Sequence, residues 1–489
     1  MKDKITSYAL YRWRYVLGYT IGGLLIAAIL VFNLLYVPGG LRATEQASAV
    51  ASGAVAFAHF DPSTVINLPY HVLQRASFAF FGVTELTIKL PSLIMGFLAI
   101  IGCYLLIASW FRRNVAIITT VVGATMPAML YIAQDGTPTI YTVALSFWLL
   151  YAATCVSRAS KPQVFWIIIF ALLMALNLYT PLGIWLNVAI LSTIPFHPHI
   201  RLGARRFNIN LLAVASAVGF VILTPLIYSL TVQPSLGLTL LGVPTHGLDL
   251  SANLHTLSTY YFGSDPHAAT PYLEPLFPLA TTLLIIIGFY RFILIKYTAR
   301  SYVTWLWGII LVPMIILNPE SFMMILPLAI LMIAMGVASL IREWYVLFPR
   351  NPYARIVGLI PLGIIVVGIA TTNAYHYIVG YHYAPKVVTT YNRDVQALNT
   401  TLARTTANEG QKVTVLVPKE DQAFYQLVAR YDKRFEVGSS NTIPAHSIYI
   451  VHGGVRNHEV SPSTPPAFIA VDSRAEQADR FYLYTEATN

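Results

Sequence analysis

Charge is what this sequence has least of: Asp, Glu, Lys and Arg make up 11% of its 489 residues, against 56% hydrophobic. A water-soluble fold cannot cover its surface with so few charges, so the bilayer must be the solvent for most of the chain. Cysteine is nearly absent too. Cys103 and Cys155 both sit inside apolar runs, which excludes a disulfide framework or a thiolate metal site. The net charge of +10 does not point to nucleic acid. From residue 376 onward there are 11 basic and 11 acidic residues, so the excess belongs to the apolar part, where it suits an anionic membrane surface.

Eleven apolar runs fall at about 15–36, 90–110, 115–133, 138–156, 163–179, 181–196, 208–231, 273–295, 302–317, 321–341 and 355–375. Most approach the roughly 20 residues that cross hydrocarbon as a helix. The first has a longer apolar core than a cleavable signal and reads as a retained anchor. Lys and Arg are missing from alternate connections, among them "AQDGTPT", "YTP" and "NPES", and gather in the others as Arg112–Arg113, Arg158, Lys161, Arg201, Arg205, Arg206, Arg291, Lys296, Arg300 and Arg342. The basic loops are therefore expected in the cytoplasm, with an inner N-terminus, in a multi-pass protein of the cytoplasmic membrane. The segments 37–89, 232–272 and 376–489 are expected outside.

The outer loop 37–89 predicts two short surface helices. One covers 44–57 with Thr44 as cap; the other begins at Pro69, ends at Gly82, and places Leu73, Ala76 and Phe80 opposite His71, Gln74, Arg75 and Phe78. The loop 232–272, which holds His246, His255, Tyr260, Tyr261, Asp265 and His267, is long enough to be a lid. Cytoplasmic "FPRNPYAR" at 348–355 reads as a structural turn. Beyond residue 376, "KVTVLVP", "SIYIVHG", "AFIAV" and "RFYLYTE" alternate as strands do, and two amphipathic helices lie between residues 391–402 and 424–431. The domains expected are thus a membrane part, 1–375, and a small α/β domain, 376–489, that carries no catalytic group. Internal repeats of the inverted-transporter kind are not evident.

Several polar residues stand out against this background. Glu45 and Asp61 are carboxylates in the first outer loop, each with an alternative as a helix-start or turn residue. Arg75, Lys89 and His71 are the nearest cationic or hydrogen-bonding groups, Lys89 equally readable as a surface anchor. Asp135 in "YIAQDGTPT" closes the third span or forms an Asp-Gly turn. His255, Tyr260 and Tyr261 are candidates for the walls of a substrate cavity or for interfacial anchoring. No set of oxygen or imidazole ligands converges in sequence, so neither metal nor other cofactor is expected.

The stretch from "INLPYHVLQRASFAFFG" to "AQDGTPT" resembles the GT-C membrane glycosyltransferases, in particular the protein O-mannosyltransferase and aminoarabinose transferase branch. The carrying residues are Pro69-Tyr70, Phe81-Gly82, Lys89-Leu90-Pro91 and Arg112-Arg113, and the match covers roughly 37–155. The resemblance implies transfer of a sugar from a polyprenyl-phosphate carrier to a lipid, glycan or protein acceptor on the outer face, with a first-loop carboxylate as general base. Glu45 matches that carboxylate by position, and a phosphate site at Arg75, Lys89 and His71 would follow. The chain departs from the pattern where an acidic pair is replaced by Thr44-Glu45, at Asn67-Leu68, and where Lys89 stands for Arg. A flippase of lipid-linked sugars, or a non-catalytic assembly protein of the cell envelope, are the alternatives; the first would want charges deep in several spans.

Overall fold

The computed structural model describes residues 9–37, 39–56, 60–205, 207–244, 249–262, 275–295, 297–347, 353, 357, 359–405, 413–438, 448–456, 465–472 and 478–484. The turn expected at 348–355 lies almost wholly outside these residues, as do His246, Asp265 and His267.

Every apolar run becomes a helix. They are α1 (Ala9–Tyr36), α4 (Glu85–Trp110), α5 (Arg113–Thr125) continued by α6 (Pro127–Gln134), α7 (Thr139–Ser157), α8 (Gln163–Asn177), α9 (Gly183–Phe196), α10 (Ile209–Val232), α11 (Leu279–Leu294), α12 (Ala299–Leu317), α13 (Leu326–Leu347) and α14 (Leu359–Tyr383). Among the described residues seven helices are long and apolar enough to cross a membrane. The bent pair α5–α6 makes an eighth, and α8, α9 and α11 are shorter apolar helices. The chain is thus a multi-pass membrane protein. Pro127, which has no N–H to donate, explains the 63° bend between α5 and α6. The last helix continues past residue 375 to Tyr383, because "TTNAYHYIVGYHY" stays helical although its hydropathy falls.

Between α1 and α4 the first connection folds into α2 (Ala43–Ala54) and α3 (Leu68–Phe81). Arg42, not Thr44, precedes the first turn of α2, and Thr44 is exposed. On α3 the face bearing His71, Gln74 and Phe78 is buried, while Leu73, Phe80 and Phe81 point outward. The apolar side of this helix faces away from the protein, as suits a helix lying on a membrane.

After Tyr383 the chain makes a short strap and enters a five-stranded sheet. Its order is β2-β1-β3-β5-β4, with β1 (Val413–Leu416) parallel to β2 (Phe435–Gly438) and β3 (Tyr449–His452), and β5 (Asp479–Tyr484) antiparallel to β3 and β4 (Phe468–Val471). Helices α15 (Asp394–Ala403) and α16 (Gln422–Tyr431) cover one face. The strand β2, with Glu436 between apolar neighbours, carries too short a pattern to be evident in sequence. One apolar core joins Val415, Leu427, Val428 and Phe481 to Ala49, Phe78 and Ile88, so the sheet domain is seated on α2, α3 and the start of α4. Its anchor is Asp394, which accepts from Arg480 Nε and Nη2 at 2.6 Å each, a two-pronged geometry that fixes α15 against β5.

Candidate active site

Glu45 occupies the third position of α2, where its side chain folds back on the chain before the helix. Its Oε2 accepts from the Arg42 N–H at 2.8 Å, and its Oε1 from the Gly136 N–H at 2.7 Å. The first bond is ordinary helix-start chemistry; the second crosses 91 residues and ties the carboxylate to the connection between α6 and α7. Gly136 is required there, since a Cβ would meet Ile88 Cγ2 at 2.8 Å and Glu45 Oε1 at 3.4 Å.

Two cations and a second carboxylate complete the cluster. Lys89 Nζ, on the second turn of α4, lies 3.5 Å from Glu45 Oε1 and donates to Gln134 Oε1 at 3.4 Å. Arg42 Nη2 pairs with Asp135 Oδ1 at 2.6 Å, and Thr137 Oγ1 donates to Asp135 Oδ2 at 2.5 Å. All four charged groups are buried: relative exposure is 0% for Glu45, 1% for Lys89, 3% for Asp135 and 7% for Arg42. Burial holds the Glu45 carboxyl above the ordinary carboxylate range against the lowering charge of Lys89, with Asp135 adding repulsion in the direction of burial. Two carboxylates in one site do meet here, and they are Glu45 and Asp135.

The roof of the cluster comes from far along the chain. The strap after α14 returns across the first connection, where Leu41 and Asn392 exchange backbone hydrogen bonds of 2.7 and 2.9 Å, and Gln46 Nε2 donates to Asn392 Oδ1 at 3.2 Å. Gly40 has φ +90°, and a Cβ there would strike the Asn392 carbonyl. This crossing places the Tyr391 ring 5.4 Å from Lys89 Nζ and 5.7 Å from the Arg42 guanidinium, with Tyr131 on another side of Arg42 at 5.1 Å. Tyr391, from the segment 376–489 that was expected to carry no catalytic group, thus lies against both cations of the cluster. Among the described residues Tyr391 OH, Arg42 Nε and Gln134 Nε2 are buried without a hydrogen-bond partner. Three idle donors around two cations are an expensive arrangement unless an anion is to be received.

The other candidates lie elsewhere. His71 Nδ1 is 2.7 Å from Ser52 Oγ, which also donates to Gln74 Oε1 at 2.5 Å; Gln74 Nε2 in turn donates to the Ile88 carbonyl at 2.7 Å and the Gly136 carbonyl at 3.2 Å. His71 thus supports the loop that holds Glu45, without reaching the cations. Arg75 is half-buried on the same helix. Asp61 is exposed and caps a 3-10 turn, its Oδ1 accepting from the Ser63 N–H at 2.9 Å, so the fold does not bring it to Glu45. His255 is exposed, whereas Tyr260 and Tyr261 pack on Phe322 and Phe277 in the apolar core. Arg42, Gln134 and Tyr391 were missed by sequence reasoning. The position of Arg42 three residues before Glu45 was a usable signal; nothing local to Tyr391 was.

Comparison with known proteins bears on the fold that carries this cluster. Residues 69–228 match the dolichyl-phosphate-mannose-protein mannosyltransferase family. ArnT from Cupriavidus metallidurans, solved bound to undecaprenyl phosphate, superposes with a TM-score of 0.59 at 12% identity, over 95% of this chain and 98% of that one. The archaeal oligosaccharyltransferase AglB from Archaeoglobus fulgidus, in complex with an inhibitory peptide and a dolichol-phosphate, gives 0.50 at 12% identity, over 86% of this chain. The present chain spans 64% of the length of AglB, slightly under two thirds. No curated protein sequence matches significantly. The chain therefore has the GT-C fold of the membrane glycosyltransferases, with the mannosyltransferase family's sequence pattern in residues 69–228.

Proposed function

We propose that this protein is a membrane glycosyltransferase that moves a sugar from a polyprenyl-phosphate carrier to a hydroxyl or amide of a lipid, glycan or protein acceptor. The observation that carries the reading is the buried cluster in which Glu45 lies beside two cations and three unpaired donors. The polyprenyl phosphates bound by ArnT and AglB are ligands of the chemistry such a cluster would receive.

The division of labour follows from the partners each group already has. Asp135 is ion-paired with Arg42 and accepts a hydrogen bond from Thr137. Glu45, held by two backbone N–H groups and raised in basicity by burial, is the better base for the acceptor proton. Both Lys89 contacts, 3.4 and 3.5 Å, are longer than the 2.7–2.9 Å usual for a charge-assisted hydrogen bond, which leaves the ammonium able to turn toward a phosphate. Lys89, Arg42 and Tyr391 would then stabilise the leaving polyprenyl phosphate as the anomeric bond breaks. These cations supply the positive charge that a divalent metal would otherwise provide, and the reaction proposed uses none.

Transfer on the outer face is part of the proposal, supported by the scarcity of Lys and Arg in the connections at the Glu45 end. The test is to supply the protein in lipid nanodiscs with radiolabelled polyprenyl-phosphate mannose and other polyprenyl-phosphate sugars, and to measure donor consumption. Release of polyprenyl phosphate with label in a second product supports transfer. Intact donor after prolonged incubation with cell-envelope acceptors would overturn it.

A further inference from the structure

Four successive residues of the strap are held by four different parts of the molecule. Tyr391 lies against Lys89 and Arg42. Asn392 exchanges backbone hydrogen bonds with Leu41, and its side chain accepts from Gln46. The Arg393 N–H donates to Asp472 Oδ2 at 3.3 Å, just after β4, and its guanidinium lies so near Gly39 that a Cβ there would meet Nη2 at 2.7 Å. Asp394 takes both prongs of Arg480 from β5. The first two residues join the Glu45 cluster and its loop, the last two the sheet domain, so one unit passes into the other within these four positions.

The sheet end is tightly held. Asp394 is buried in the first turn of α15, and its Oδ2, besides accepting from Arg480, lies 3.5 Å from His452 Nε2. His452 Nδ1 accepts from the Gly454 N–H at 3.1 Å, which leaves Nε2 as the nitrogen that carries the proton and faces Asp394. Burial alone would raise the Asp394 carboxyl; Arg480 and then His452 outweigh it and hold the group below its ordinary value. An ionised pair with two parallel bonds fixes direction as well as distance.

The other end is held by less. The Tyr391 ring is 5.4 Å from Lys89 Nζ and 5.7 Å from the Arg42 guanidinium, and its hydroxyl has no hydrogen-bond partner. Attraction between a ring and a cation is weak and tolerates sliding. It does not by itself decide where the hydroxyl sits; the residues that follow Tyr391 do.

We propose that Asp394 and Arg480 are positioning residues for the donor site. By fixing the strap to the sheet domain they place Tyr391 over Lys89 and Arg42, so the sheet domain sets the affinity for polyprenyl phosphate through Tyr391 alone. This role rests on the sugar-transfer reading of the Glu45 cluster.

The test joins amide hydrogen exchange of the full chain in nanodiscs to equilibrium binding of polyprenyl phosphate. In Arg480→Lys, which keeps the charge but loses the fork, the Leu41 and Asn392 amides should exchange faster than in the wild type while β1, β3 and β5 stay protected. The dissociation constant should rise about three- to tenfold. Asp394→Asn should act alike, and where it melts the strands Arg480→Lys decides. Added to Tyr391→Ala, Arg480→Lys should weaken binding no further, since two residues acting through one contact are not additive. Equal loss in both backgrounds would show an effect that bypasses Tyr391 and overturn the positioning role, as would unchanged affinity in Arg480→Lys. Asp432→Ala breaks a surface ion pair with Arg434 on the same domain and should bind as the wild type does; a loss equal to that of Arg480→Lys would show general softening and overturn the role too. A wild type that binds no polyprenyl phosphate would sink the transferase reading. Exchange alone would then judge the strap: unchanged protection of Leu41 and Asn392 in Arg480→Lys overturns its dependence on the sheet domain.

Discussion

Glu45 has an unusual combination of constraints for one carboxylate. Two backbone N–H groups fix its direction, burial raises its affinity for a proton, and Lys89 stands 3.5 Å away. Glu45→Gln keeps the size and most of the hydrogen bonding but removes the proton acceptor. Turnover should fall by roughly 10²–10⁴-fold with donor affinity preserved, measured as initial rate and as equilibrium binding of polyprenyl phosphate. Asp61→Asn, at an exposed turn, should change neither; a loss there as large as that of Glu45→Gln would move the base to Asp61. The sign for pH is direct. The base works ionised, and its carboxyl lies above the ordinary value of 4.5, so the acidic limb of the rate profile should lie above that of a free glutamate. Tyr391→Phe removes a buried hydroxyl that lacks a partner. It should raise the donor KM by up to about tenfold, the worth of one hydrogen bond, and leave kcat nearly unchanged; an unchanged KM would make the ring alone the useful part. Glu45, Lys89 and Asp135 were legible as polar residues in apolar surroundings. Tyr391 was not, because tyrosine is common near membrane surfaces and its partners lie about 300 residues or more away.

Among the elements, α2 and α3 do more than border the membrane. Their facing sides carry Ser48, Ser52, His71 and Gln74, a hydrogen-bonded spine that ends on the Gly136 carbonyl and so steadies the N–H that Glu45 accepts. The sequence pattern placed both helices closely, since Pro69 and Gly82 mark the ends of α3. It could not say which side of α3 would be buried: in a membrane protein the apolar face may turn to lipid, and Phe80 and Phe81 do so. Burial lowers His71 to about 4 from 6.5. The unfolded chain therefore binds a proton between those values that the folded chain does not. The associated stability is complete above pH 6.5 and is lost as pH falls toward 4, amounting to about 3 kcal/mol. Thermal melting in detergent at pH 7 and pH 4.5 should show a smaller acid-induced drop for His71→Asn than for the wild type. An identical drop in both would assign the acid sensitivity to other groups.

On the scale of the whole molecule the two ends differ in chemistry, and that difference carries orientation. The end with Glu45 has balanced charge and the seated sheet domain; the other has the arginines that cap α4. The apolar runs alone placed the long helices, though not the bend that splits the run 115–133 into α5 and α6. The seat of the sheet domain was hidden, since it depends on Leu427 and Val428 meeting α2 across the fold. Positive charge is retained on the cytoplasmic side, so the arginine end should face inward and the Glu45 end outward. Cys103 and Cys155 are buried and should stay silent toward a membrane-impermeant maleimide, which makes single cysteines readable in this background. Glu420→Cys, exposed on the sheet domain, should label in intact cells. Asn114→Cys, exposed just after Arg112 and Arg113, should label only after permeabilisation. The reverse pattern would turn the molecule over, and would put Glu45, Lys89 and Tyr391 on the face where soluble nucleotide sugars, not polyprenyl phosphates of the outer leaflet, are at hand.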